Sequence, residues 1–185
     1  MNIRVFVLAV LSAGVAASLA CTVPASNDRY VQTKVPDQAS FPPVSALLTV
    51  RCGSLDCHGN IARNLRVYGS AGRRYSPNDQ PFVPPCDTND EVAQTYVSVI
   101  GLEPEVMNTV ASGGDPGTLT MIRKARGTEA HKGEKIWSTG DDSDLCLTAW
   151  LTGAPNPAAC NRALASVLPL GDKNPLLSCS TSSDQ

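Results

Sequence analysis

Cys52-Gly53-Ser54-Leu55-Asp56-Cys57-His58-Gly59 is the stretch on which the reading of this chain turns. Two thiols followed directly by an imidazole are the groups that covalent haem attachment requires. Each sulfur forms a thioether with one vinyl group while the adjacent His ligates the iron. Four residues separate the cysteines here, where the usual attachment motif has two. The added pair must bulge from the loop, and Gly53 is expected to take a positive φ that permits this. The competing reading of the same residues is a small Cys52–Cys57 disulfide loop, which an exported protein forms easily.

The stretch resembles the widened C-x4-C-H attachment site of some multihaem c-type cytochromes. Just upstream, Pro43 suits a first helical turn, and Val44, Leu47, Leu48 and Arg51 follow at helical spacing, so a short helix is expected to deliver Cys52 to its end. Downstream lie Arg63, Arg66, Arg73 and Arg74. A guanidinium matches a carboxylate in a fork geometry, so these four are candidates to hold haem propionates, with a solvated surface as their alternative role.

The start of the chain carries one positive charge, Arg4, and an uncharged run from 5 to 20 that ends in small residues, the pattern of an export signal. Ser18-Leu19-Ala20-Cys21 resembles a bacterial lipoprotein processing site, although the Leu stands two residues before the cysteine where three is usual. Residues 1–20 are therefore expected to be removed and Cys21 lipidated, with plain signal-peptidase cleavage after Ala20 as the alternative; lipidation places the protein outside the cytoplasm on a cell-envelope membrane. Residues 21–42 are mostly polar and proline-punctuated, as a flexible tether would be.

Seven cysteines is an odd number for an oxidising compartment. A lipid on Cys21 accounts for one. If Cys52 and Cys57 bind haem, Cys86, Cys146, Cys160 and Cys179 remain for two disulfides; without haem, all six make three. Cys146 with Cys160 would join two helices across a short turn, leaving Cys86 with Cys179, but spacing alone leaves the connectivity open. Without Arg4 the chain has 14 basic and 17 acidic side chains, a balance that gives no reason to expect nucleic-acid binding. Fourteen Gly and fourteen Pro imply long irregular connections around a modest core that a macrocycle or disulfides would help to hold.

Further elements read as helices. Thr88-Asn89-Asp90-Glu91 is a capping box before the stripe Val92, Ala93, Tyr96, Val97 and Ile100. Pro104 opens a helix with Val106, Met107 and Val110 inward, and Asp115-Pro116 opens another with Leu119, Met121 and Ile122. Asp141-Asp142-Ser143 caps a helix reaching Leu151, and Asn156-Pro157 starts the last one, with Cys160, Leu164 and Val167. No β-alternation persists long enough to argue for a sheet. The fold class is mainly α.

If His58 holds one face of an iron, His131 is the only other imidazole in the chain. It lies in Arg126-Gly127-Thr128-Glu129-Ala130-His131-Lys132-Gly133-Glu134, a glycine-flanked loop able to reach over a flat ring. Met107 and Met121 are the competing ligands, both on apolar stripes where packing is the commoner role. His131 ranks first.

The segments 118–124, 131–134 and 144–154, taken with the attachment site, resemble planctomycete-type cytochrome c domains in the same order over 44 to 154. Those domains run from a short apolar helix ending in a basic residue, through a His-Gly-Gly segment, to a closing helix with a Trp near a terminal Gly-Ala. Here Lys132 interrupts the glycine pair, and a proline-rich insertion separates the halves. The resemblance implies a small cytochrome c-like helical domain with long Pro/Gly-rich loops over 43–168, a C-terminal tail over 169–185, one covalent haem c, and Trp150 along the haem edge. It implies electron transfer with redox partner proteins rather than enzymatic turnover. Against this stand a haem-free, disulfide-held lipoprotein acting as a binding or scaffold module, and an enzyme that is either peroxidase-like or zinc-dependent through Cys52, Cys57, His58 and His131. No Ser-His-Asp elbow, phosphate loop or metalloprotease helix is present.

Overall fold

The computed structural model describes residues 33–80 and 86–167. The signal, Cys21, the start of the tether, Cys179 and the tail lie outside the described residues. Among the described residues there are six helices: α1 Pro42–Cys52, α2 Asn89–Ile100, α3 Pro104–Ala111, α4 Thr120–Ala125, α5 Asp142–Leu151 and α6 Pro157–Val167, with a 3₁₀ turn at Pro116–Thr118 before α4. Among the described residues there is no strand, only an isolated bridge between Tyr68 and Arg73, and no helix is long and apolar enough to cross a membrane. The domain is mainly α.

Local chemistry sets the ends of these helices. Thr88 accepts from the Glu91 amide and Glu91 reaches back to the Thr88 amide at 2.8 Å, closing the capping box on α2. Asp141 accepts from the Asp144 amide at the start of α5, and Asn156 from the Ala159 amide at the start of α6. Gly153 closes α5 with φ of 77°, a conformation in which a side chain is unfavourable. Asp115 caps a single 3₁₀ turn rather than a helix; α4 begins only after Leu119, with one apolar pair, Leu119 and Ile122, fully buried.

Helices α5 and α6 pack on each other, and α6 packs on α1, which also meets α2 and α5. The disulfide Cys146–Cys160 joins α5 to α6, a link worth about 3 kcal/mol for a loop of this size on the chain-entropy account. Cys86 is disulfide-bonded as well, but the expected partner Cys179 falls outside the described residues. Where α1, α2 and α5 converge, Phe41 packs against Trp150 at 4.7 Å with the rings tilted by 46° and meets Tyr96 edge-on at 5.5 Å. Trp150 donates from Nε1 to Asp37 O, and Tyr96 from its hydroxyl to Pro36 O. Residues 33–41 of the expected tether are thus built into the domain by a buried Phe and two side-chain hydrogen bonds.

One expectation about facing changes. On α2 the inward residues are Thr95, Tyr96 and Val99, whereas Val97 is 57% exposed. Thr95 turns inward because its hydroxyl donates to Tyr68 O and accepts from the Tyr68 amide. That docks the irregular chain after the Cys/His stretch onto α2.

Candidate functional site

The Cys-x4-Cys-His stretch folds as the continuation of α1. Cys52 ends the helix, and the His58 amide donates back to Cys52 O at 2.9 Å, so the four intervening residues form a compact loop. The Cys57 and Gly59 amides both donate to Ser54 O. Gly53 does not adopt the expected positive φ; its φ is −80°. The glycines here serve close approach instead. A Cβ on Gly59 would lie 2.2 Å from Gly53 O, and one on Gly72 would lie 2.1 Å from the same oxygen. Three chain segments therefore meet where no side chain fits. Cys52 and Cys57 are free thiols, not partners of one another. Burial, with Cys57 nearby adding and Arg51 opposing, pushes the Cys52 thiol up to about 12, so at neutral pH it is protonated.

His58 Nδ1 lies 3.0 Å from Leu65 O. A carbonyl only accepts, so Nδ1 carries the proton and Nε2 presents its lone pair. Burial, opposed by the Leu65 hydrogen bond and aided by nearby cationic groups, pulls the His58 pKa below its ordinary value. The neutral, ligating form is favoured.

The second imidazole arrives on a loop pinned at both ends. Ala125 O at the end of α4 accepts from the Ile136 and Trp137 amides, and Arg126 forms a two-pronged ion pair with Asp144 of α5 at 2.8 and 2.9 Å. Within the loop, the Glu134 amide donates to His131 O, and His131 Nδ1 lies 3.3 Å from Glu134 O. By the same argument, Nε2 of His131 is its available nitrogen. The two rings face each other with centroids 5.9 Å apart and planes within 19° of parallel. That separation lies within the roughly 4.5–7 Å usual for paired aromatic rings. A metal atom bound to one nitrogen of each ring at about 2 Å, the usual metal–imidazole distance, would set the centroids roughly 6 Å apart.

Both rings and both thiols line a cavity of about 530 Å³, within the range of roughly 300–1,000 Å³ typical of cofactor and ligand sites. Leu48, Leu65, Leu102, Ile136 and Leu147 supply its apolar wall. Among the described residues, no group of three or more His, Cys, Asp or Glu is arranged to hold a metal ion. Two opposed imidazoles suit a group that brings its own equatorial ligands. Trp137 also lines the cavity, and its Nε1 is buried without a hydrogen-bond partner. An orphaned buried donor carries a cost that an acceptor on a bound group would relieve. The residues present fit a haem.

The other candidates separate. Arg63 and Met121 line the cavity; Met107 is fully buried in the core and does not. Arg66 is exposed beside a separate shallow groove. Arg73 donates from Nε to Gly59 O at 2.6 Å, and Arg74 is buried against Glu91, with Nε and a terminal nitrogen at 2.7 and 3.1 Å. Arg73 braces the Cys/His loop and Arg74 ties the segment after it to α2; neither lines the cavity. Trp150 lies in the aromatic core and not on the cavity wall; the tryptophan at the cavity is Trp137. Sequence reasoning passed over Trp137, Lys124 and Lys132, all on the wall. The Ile136-Trp137 pair ending an otherwise polar loop was the available signal for the first. Comparison with known proteins finds no family model, curated protein or solved structure that matches the chain.

Proposed function

We propose that this chain is a c-type cytochrome that carries single electrons through one covalently bound haem, outside the cytoplasm at a cell-envelope membrane to which a lipid on Cys21 tethers it. One observation carries the reading. Two near-parallel imidazoles, each with Nδ1 tied to a backbone carbonyl, face each other at 5.9 Å across a cavity that also holds two free thiols. Bound there, haem supplies a one-electron iron couple. Cys52 and Cys57 would hold it by adding S–H across its two vinyl groups, the sulfur and the hydrogen going to neighbouring carbons. His58 and His131 would take the two faces of the iron, with Met121 next in reach of the cavity. Arg63, Lys124 and Lys132 are the cations placed to meet its propionates. With both axial positions filled by protein, no open position is left for substrate, so electron transfer and not turnover is the activity expected.

Expression with a haem-attachment system and a visible spectrum of the purified, reduced protein tests this. The expected result is a low-spin haem c spectrum that disappears when Cys52 and Cys57 are both changed to Ala. Colourless protein from that system would leave the haem-free disulfide-held lipoprotein as the better description.

A further inference from the structure

We infer that the Lys132-Gly133-Glu134 turn is an orienting device for His131, with Gly133 and Glu134 as positioning residues that hold its ring parallel to that of His58. The inference rests on the haem reading above, and deepens it from which residues ligate to what fixes their mutual angle.

Gly133 is a glycine for what it lacks. Its φ is not in the left-handed region, so backbone freedom does not explain it. A Cβ built there would lie 2.9 Å from His131 Cε1 and 3.3 Å from Nδ1, with Ile136 Cδ1 at 3.4 Å on the other side. The imidazole edge rests directly against the bare Cα. Any side chain at 133 must displace either the ring or Ile136, and the closest atom belongs to the ring. The backbone is not what it meets, so the turn itself survives the change.

Glu134 supplies the second restraint. With φ of 55° it is the one non-glycine residue among those described that adopts positive φ, a conformation costing on the order of 1 kcal/mol or more for a residue with a side chain. That twist turns the Glu134 carbonyl back toward His131 Nδ1 while its amide donates to His131 O. One residue thus closes the turn and fixes the ring about its own bond. The spacing His-x-Gly matters here: the bare position is the second residue after the ligand, so Lys132 does not disturb it.

Axial ring angle is read directly in ferric haem. Parallel imidazole planes act on the same iron d orbital and split the pair strongly, giving a rhombic low-spin EPR signal. Perpendicular planes leave the pair nearly degenerate and give a large-gmax signal.

The experiment is EPR of the ferric full-length protein, with haem content and thioether attachment measured in parallel. The unaltered protein is expected to give the rhombic signal. Gly133→Ala is expected to lose it to a large-gmax or high-spin signal at unchanged haem content, whereas Glu134→Gly, which keeps the same φ accessible, is expected to retain it. An unchanged rhombic signal in Gly133→Ala would overturn the inference. If that variant does not accumulate, Glu134→Pro serves instead, since proline fixes φ near −65° and removes the amide; the same loss is expected and its absence is equally contrary. Lack of haem in the unaltered protein would overturn the reading beneath, a distinct result.

Discussion

The two arms of the site hold their histidines by different means. The arm of 52–74 is locked along its length: backbone hydrogen bonds close the loop, Gly53, Gly59 and Gly72 meet without room for a Cβ, and Arg73 and Arg74 fasten it from behind. The arm of 126–137 is fastened at its ends and open in the middle, where His131 is half-buried and Lys132 and Glu134 are exposed. The difference teaches that one histidine is part of the fold and the other is presented to it. Stability should therefore follow the first arm and ligation state the second.

The largest contrast is expected between the histidines. His58→Ala is expected to abolish accumulation of haem-bearing protein, because it removes a ligand and also the contact that ties the loop to Leu65. His131→Ala is expected to keep covalent haem at near-normal yield but convert it to a high-spin spectrum. Equal loss of haem in both variants would break the comparison.

Next come the ion pairs that fasten each arm. Glu91 is fully buried and binds Arg74 as well as the Thr88 and Tyr75 amides. Glu91→Ala leaves a buried guanidinium short of its partner and is expected to cost about 3–5 kcal/mol in urea unfolding. Arg126 is partly exposed, and Asp144 keeps the Gly140 amide as a partner without it. Arg126→Gln is expected to cost about 1.5–3 kcal/mol, the range for a hydrogen bond to a charged group. The reverse ranking would mean that the distal loop carries more of the fold than its exposure indicates.

The smallest effect concerns pH. Asp87 accepts from Thr49 and from Ser70, and burial holds its carboxyl above the ordinary 3.8 despite those hydrogen bonds. A folded pKa above the unfolded one means that the native state binds the proton more tightly. This contribution is present below 3.8 and is lost as pH rises through the folded pKa. Asp87→Asn keeps a carbonyl for Ser70 and cannot ionise, so its stability should decline less over that interval. Parallel urea titrations stepped through mildly acidic pH check this, and identical slopes would count against it.

Much of the fold was legible because its signals are local. The Thr88/Glu91 box, the Asp141 and Asn156 caps and the Cys146–Cys160 link need only a few neighbouring residues to be read, and all appear. The roles of Arg73, Arg74 and Trp150 were not legible in the same way. An arginine near an attachment motif reads as a carboxylate ligand, but whether it turns to the cavity or to Glu91 is decided by how the 69–80 segment lies against α1 and α2. Trp150 fits its place on a helix in either role; Phe41, in a stretch that reads as tether, takes it into the core. Gly53 was assigned to the right loop for the wrong reason, since contact with a distant glycine leaves no trace in local sequence. His58 and His131, 73 positions apart in the chain, were paired because the chain has no other imidazole, and the facing of their rings agrees with that pairing.

The most direct measurement is the intact mass of the native, unreduced protein, followed by mapping of the peptide that spans 52–58. The account predicts a mass increased by one haem, carried on that peptide through both sulfurs. A peptide without haem and two hydrogens short, as a Cys52–Cys57 disulfide would make it, would contradict it.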